Sequence, residues 1–151
     1  MISVCMATYN GETYIKEQIE SIINQLSSSD ELIISDDKST DNTLKIINEF
    51  KDPRIKIYIH EKDHGFVKNF ENALEKAKGD FIFLSDQDDI WLPNKVAATL
   101  KELEYYDFVV SDCITINKYG EIISHSRIKD FKIKTGSVSY THLTLPTTER
   151  V

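Results

Sequence analysis

Three apolar runs in this chain each end in a polar or acidic cluster: Thr8-Tyr9-Asn10, Asp36-Asp37 and Asp86-Gln87-Asp88-Asp89. Asp86 and Asp88 stand two residues apart, and in an extended segment residues i and i+2 point the same way. The two carboxylates can then converge on one cation while Gln87 faces away. Hard divalent ions such as Mg²⁺ or Mn²⁺ prefer oxygen ligands and share them with phosphates. An Asp-x-Asp with few other protein ligands therefore suits a metal carried by a diphosphate. Asp89 has a simpler use, as the cap of a following helix. Asp36 offers a carboxylate to a base N–H such as uracil N3. Tyr9 offers a ring face to that base; a tyrosine packed into a strand–helix turn is the alternative reading. Loops collect Asp and Asn for turn reasons alone. Three clusters at one sheet edge are what shift the balance toward a ligand.

The elements that must bring these clusters together are legible as alternating strands and helices. Ile2 to Ala7, Glu31 to Ser35 and Phe81 to Leu84 are short apolar runs that read as buried strands, the last expected in the sheet interior. Ile55, Ile57 and Ile59 alternate with Lys56, Tyr58 and His60, giving a strand with one polar face. Phe108 to Ser111 reads as a fifth strand, and Cys113–Ile116 with Glu121–Ile123 as a hairpin around Lys118-Tyr119-Gly120. Between them, Ile15, Ile19, Ile22, Ile23 and Leu26 recur at helical spacing. Leu44, Ile47 and Phe50 lie on a second helix, capped by Thr40 or Asp41 and stopped by Pro53. Phe66, Phe70, Ala73, Leu74 and Ala77 line a third, with Gly79 as its C′ residue. Pro93 can open a fourth, with Val96, Leu100 and Leu103 inward. Such alternation implies an α/β fold with a mainly parallel, Rossmann-like sheet and helices on both faces. In such sheets ligands sit beyond the carboxyl ends of the strands, where the three clusters lie.

Composition narrows the partners. The 151 residues carry a net charge of −7, which argues against nucleic acid, whose phosphates call for clustered Lys and Arg. The two cysteines, Cys5 and Cys113, sit in apolar runs with no metal spacing or disulfide framework. A reducing, cytoplasmic setting fits. The N-terminus lacks a basic n-region and a long apolar stretch, so it does not read as a signal peptide. Peripheral association with the inner face of a membrane is compatible with all of this.

Ser3 to Gly11, Ile33 to Thr43 and Gly79 to Trp91, in this order and spacing, resemble the motifs of family 2 glycosyltransferases of the GT-A fold. The stretch from Asp86 to Lys95, Asp-Gln-Asp-Asp-Ile-Trp-Leu-Pro-Asn-Lys, is most similar to bacterial polysaccharide-building, rhamnosyltransferase-like members. The resemblance implies an inverting transfer of a sugar from a UDP- or dTDP-linked donor to a saccharide or lipid-linked saccharide acceptor, with Mn²⁺ or Mg²⁺. It implies a nucleotide-sugar set of Ala7, Thr8, Tyr9, Asp36, Lys68, Asn69, Asp86 and Gln87, and a metal set of Asp88 and Asp86. Lys38 stands where the family pattern has Gly, a departure confined to the backbone shape of that loop.

The likeness covers residues 1–125, expected as the nucleotide-sugar-binding half-domain; residues 126–135 read as the start of an acceptor region. Inversion needs a general base, and none is identifiable; Asp112, at a strand end, suits a structural or pocket-lining role better. Residues 136–151 show no period, depart from the family and read as a non-native extension that should pack poorly. Other classes remain as alternatives. A nucleotidyltransferase would want a Gly-rich basic loop where Tyr9-Asn10-Gly11-Glu12 stands. A phospho-receiver would place its acidic pair after the first strand. A donor-binding fragment without transfer activity is the third.

Overall fold

The computed structural model describes residues 1–61, 64–117 and 119–130, and the backbone of 140–144. The chain divides into two compact units, Met1–Asp88 and Asp89–Val151.

The first unit alternates β1 (Ile2–Thr8), α1 (Ile15–Ile23), β2 (Glu31–Asp36), α2 (Thr43–Glu49), β3 (Ile55–Ile59), α3 (Phe66–Leu74) and β4 (Phe81–Ser85). The strands form one parallel sheet in the order β3-β2-β1-β4. β1 and β2 are central and buried almost throughout, as their continuous apolar sequences require. Cys5 and Ile33 pack with Ala73 of α3, and Tyr58 leans on the same cluster. Alternation turns Val4, Met6, Leu32 and Ile34 to the opposite face, and Ile15, Ile19, Ile22 and Ile47 are also fully or almost fully buried. The expected α/β architecture, with helices on both faces of a parallel sheet, is what the chain adopts.

Several expected details differ. β4 is a strand, but it is the terminal strand of its sheet, with Ile82 and Leu84 exposed. On α3, Phe66 and Leu74 are exposed while Asn69 and Ala73 are buried. The inward face is rotated because the Asn69 amide donates to the Thr8 carbonyl, a buried bond that an apolar tally misses. α3 ends at Leu74, so Gly79 is not its C′ residue. Gly79 is needed for another reason: a Cβ there would lie 2.5 Å from the Ser3 nitrogen, because β1 passes too close for a side chain. Tyr58, expected on the polar side of β3, touches the core cluster.

Glu31 opens β2 from inside the protein. It is 2% exposed and accepts from the Ser3 hydroxyl at 2.6 Å, the Lys78 N–H at 2.9 Å and the Lys56 ammonium. Burial alone would raise its pKa, but these donors outweigh burial and hold it below the ordinary carboxylate value. The buried charge is thereby satisfied from three directions, and it ties the start of β2 to β1, β3 and the segment before β4.

The second unit comprises β5 (Asp89–Trp91), α4 (Lys95–Leu103), β6 (Asp112–Ile116), β7 (Ile122–Ser124), the short α5 (Arg127–Asp130) and β8 (Tyr140–Thr144). Its sheet runs β5-β8-β6-β7 and is mixed, with β8 antiparallel to β5 and parallel to β6. The expected hairpin is present as β6 and β7. The expected strand at Phe108–Ser111 is not: pairing among the described residues begins at Asp112, and Phe108 is exposed. α4 starts at Lys95 rather than at Pro93, and buries Lys95, Val96 and Thr99, with Leu100 and Leu103 only half-buried. Tyr140–Thr144, inside the segment expected to carry no element, is a strand because β5 and β6 both offer it an edge. The rest of 136–151 lies outside the described residues. Among the described residues no helix is long and apolar enough to cross a membrane.

Lys95 is 8% exposed, and its ammonium lies 5.1 Å from the centre of the Trp91 ring. Burial pulls its pKa down to about 8, against the opposing influence of Asp89 and Cys113. The unfolded chain titrates this lysine near the ordinary value of about 10.4. Between these two values the unfolded state binds more protons, so stability rises with pH across the window. The full rise is on the order of 3 kcal/mol, since a tenfold change in proton affinity is worth about 1.4 kcal/mol. Lys95→Met is expected to flatten it. Urea titrations below, within and above the window check this; an equally steep rise in the variant would place its source elsewhere.

Candidate functional site

The polar carboxyl edge of the first unit's sheet is built by β2, β1 and β4, three neighbouring parallel strands. Their carboxyl ends carry Asp36-Asp37, Thr8-Tyr9-Asn10 and Asp86-Gln87-Asp88 respectively. Thr8 pairs in register with Asp36. The geometry of this edge is set by hydrogen bonds that run across the strands.

Thr8 is the hub. Its hydroxyl donates to Asp36 Oδ2 at 2.8 Å, and its carbonyl accepts from the Asp37 N–H at 2.9 Å and the Asn69 amide at 3.0 Å. Asp36 is fully buried and its two oxygens are also occupied by Ser39, through the backbone N–H at 2.8 Å and the hydroxyl at 2.6 Å. Asp36 thus locks the β2–α2 loop from below, a task that sequence reasoning did not assign to it. Asp37 turns the other way, to the Gly65 N–H at 2.9 Å and His64 Nδ1 at 2.8 Å, at the start of α3. Burial would raise the Asp37 pKa, but the Gly65 and His64 contacts bring it below the ordinary value.

The loop after β1 is fastened to the loop after β2. Asn10 takes a left-handed conformation at φ 48°, its N–H donates to Ser39 Oγ at 2.9 Å, and its side-chain oxygen accepts from the Thr40 N–H at 2.8 Å. Lys38 has φ 60°, a left-handed conformation that a glycine adopts freely. Gly11 donates to Thr43 Oγ1 at 2.8 Å, and its carbonyl accepts the first bonds of α1. Asn10 was read only as part of the strand-end cluster, and Ser39 and Thr43 were given no role of their own; the Asn-Gly pair and the Ser-Thr run after Asp36 were the available signals.

Tyr9 exposes 55% of its surface, so its ring is open to a stacking partner. Its backbone is held by Gln87: the Tyr9 N–H donates to Gln87 Oε1 at 2.9 Å, and Gln87 Nε2 donates to the Tyr9 carbonyl at 3.0 Å. Ser85 ends β4 with its hydroxyl accepting from Gln18 at 2.6 Å, a buried amide on the apolar face of α1. β4 stops there, and Gln87 and Asp88 lie in a turn. The extended-chain argument for Asp86 and Asp88 sharing a direction therefore does not apply; the turn decides their orientation. Asp86 is exposed and Asp88 half-buried. Among the described residues no group of three or more His, Cys, Asp or Glu side chains could by itself hold a metal ion. A pair of hard oxygen donors on an open turn fits Mg²⁺ or Mn²⁺ that completes its shell with phosphate oxygens.

Ala7 is half-buried beside this edge. Asn69 is drawn into it by Thr8, and its side-chain oxygen is buried with no hydrogen-bond partner among the described residues. Lys68 is placed differently. Its ammonium meets Glu71 on its own helix at 2.6 Å, and it lines a groove between α3 and β3 with Tyr58, His60 and Asn72. In the second unit, Asp112 accepts from the Ser126 hydroxyl and from the Cys113 and Ile128 N–H groups, so its carboxylate is committed to holding β6 to α5.

The family model described as glycosyl transferase family 2 matches residues 3–148. The dTDP-rhamnosyl transferase RfbG of Shigella flexneri is 45% identical over 98 residues, covering 60% of this chain and 34% of the relative. The Escherichia coli UDP-Glc:alpha-D-GlcNAc-diphosphoundecaprenol beta-1,3-glucosyltransferase WfgD is 40% identical over 96 residues, covering 64% and 38%. The chain thus spans well under half the length of these relatives. Among solved structures, Staphylococcus aureus TarS in complex with UDP-GlcNAc superposes with a TM-score of 0.73 at 20% identity, covering 99% of this chain and 59% of that one. A Pyrobaculum calidifontis mannosyltransferase in complex with GDP-Man and Mn²⁺ gives 0.64 at 22%, covering 78% and 35%. The parallel sheet and the extent of the family match agree: this chain belongs to glycosyl transferase family 2 and has the GT-A fold.

Proposed function

We propose that this chain is the donor-binding portion of an inverting glycosyltransferase that builds bacterial surface polysaccharide at the cytoplasmic side of the membrane. The donor is a UDP- or dTDP-linked sugar, and the acceptor is a saccharide or lipid-linked saccharide. The observation that carries this reading is the cross-linked edge of β2, β1 and β4, where an exposed aromatic ring and a two-carboxylate turn are joined by Gln87. The names of the relatives, one dTDP-dependent and one UDP-dependent, support the donor class.

In this reading the Tyr9 ring stacks on the base. Thr8, Asp36 and Asn69 shape the pocket floor, with Ala7 at its side. Asp86 and Asp88 hold the end of the site where the diphosphate lies. Lys68 offers positive charge from α3. A bound Mn²⁺ or Mg²⁺ would supply charge stabilisation to the departing diphosphate. Asp36 acts here through the Ser39 loop it fixes, and Asp37, with its outward contacts to His64 and Gly65, stands nearer the rim.

A thermal-shift panel of UDP, dTDP, GDP, CDP and the free nucleosides, with and without Mn²⁺, tests the reading. Ligand at about 100 times its dissociation constant adds about 2.7 kcal/mol. For a chain of this size, that corresponds to a rise of roughly 5–10 °C in melting temperature. The rise is expected for UDP or dTDP with Mn²⁺. A chain indifferent to every nucleotide in Mn²⁺ would overturn the proposal.

A further inference from the structure

Gln87 lies between the two carboxylates of the turn after β4, yet its side chain is spent on a backbone 78 positions away. Its amide makes the two bonds a neighbouring strand would make, accepting from the N–H of Tyr9 and donating to its carbonyl. Both polar atoms of the amide are used, and both backbone groups of Tyr9 are satisfied by it.

The seat is shaped for it. A Cβ on Gly11 would lie 2.3 Å from Gln87 Oε1 and 2.7 Å from its Cδ, well inside contact distance. Gly11 has no positive φ that would otherwise demand glycine. Its missing side chain is therefore explained by the amide packed above it. Gly11 is anchored in turn by Thr43 and by the first turn of α1, so the platform under the amide is rigid.

We infer that Gln87 is a positioning residue that couples the base-stacking loop at Tyr9 to the metal-holding turn at Asp86 and Asp88. The inference rests on the nucleotide-site reading above. Seating of the Gln87 amide fixes the Tyr9 peptide on one side and the spacing of the flanking carboxylates on the other. A cation that orders the turn then also orders the loop. By reciprocity, a base stacked on Tyr9 raises the affinity of the turn for the cation by the same factor. A Gln87 that merely pointed away from the metal would carry none of this coupling.

The test is calorimetric titration of UDP and of dTDP into the full chain, with and without Mn²⁺, for wild type, Gln87→Ala, Gln87→Glu, Gly11→Ala and the double alanine variant, read on whichever nucleotide the wild type binds. In Gln87→Ala the gain in nucleotide affinity conferred by Mn²⁺ is expected to shrink about tenfold, within the usual range for coupled sites. Gly11→Ala, which unseats the same amide, should give a similar loss, and the double variant should be no worse than either single one. Gln87→Glu keeps the acceptor for the Tyr9 N–H but repels the Tyr9 carbonyl, and should fall between wild type and alanine. Gln87→Ala with the wild-type Mn²⁺ gain, or additive losses in the double variant, would overturn the coupling alone. A wild-type chain that binds neither UDP nor dTDP in Mn²⁺ overturns the nucleotide-site reading, and the coupling with it.

Discussion

Asp88→Asn is expected to abolish the Mn²⁺-dependent part of UDP or dTDP binding while leaving the fold intact. The substitution keeps the shape of the side chain on the turn after β4 and removes its charge. Divalent cations of this class bind proteins through few carboxylates and take the rest of their shell from phosphate and water. Where two carboxylates serve, the loss of one charge is a large fraction of the protein's share. Groups that only support a metal ligand typically alter affinity about 10–100-fold when removed. A direct ligand should reach at least the upper end of that range, roughly 100-fold. Asp88 is half-buried on a turn, and a melting curve of the variant beside wild type separates loss of the metal from loss of stability. Calorimetry with UDP in Mn²⁺ and in chelator decides it. Equal affinities for Asp88→Asn and wild type in Mn²⁺ would remove Asp88 from the metal set.

Asp36→Ala is expected to act on the fold before it acts on the ligand. The variant removes the acceptor of the Ser39 N–H and the Ser39 hydroxyl and leaves the Thr8 hydroxyl only the Ser35 carbonyl at 3.4 Å, at a position with no exposure. A stranded buried donor costs about 1–3 kcal/mol, and the Ser39 pair can recover part of that by turning to water. A net loss of about 3 kcal/mol is expected, a substantial share of the 5–15 kcal/mol typical of a domain. Asp36→Asn keeps one acceptor and should lose less. Urea unfolding and nucleotide titration together separate two roles for this residue. Loss of stability with loss of binding marks Asp36 as the lock of the loop. Loss of binding with unchanged stability would mark it as a direct contact to the base.

The two roles of Asp36 show why the strands were legible in sequence and the site only partly so. β1 and β2 are apolar almost throughout, and a run of that kind ended by polar residues has few other readings. The same text puts a carboxylate at a strand end without saying whether it faces the ligand or the loop beneath. That depends on Ser39 and Thr8, and their hydroxyls fit many local patterns. Long-range contacts were less visible still. Gln87 and Tyr9 are joined by an amide that sequence spacing placed as facing away, because the spacing rule presumes an extended chain and the structure has a turn. On α3 a single buried amide, Asn69, rotated the inward face away from the apolar stripe. At Phe108 an apolar run lacked a paired neighbour, and periodicity alone cannot supply one.

The two cysteines give this chain a pair of internal chemical clocks. Cys5 lies in β1 with no exposure, and burial first, with the Glu31 charge adding, pushes its thiol up to about 11. A thiolate is the reactive form, so alkylating reagents and peroxide meet almost none of it while the strand is closed. Cys113 is buried in β6, in the other unit. Each unit therefore carries one shielded sulfur. The order in which the two sulfurs acquire label under mild denaturant reads out which unit opens first, without any engineered probe.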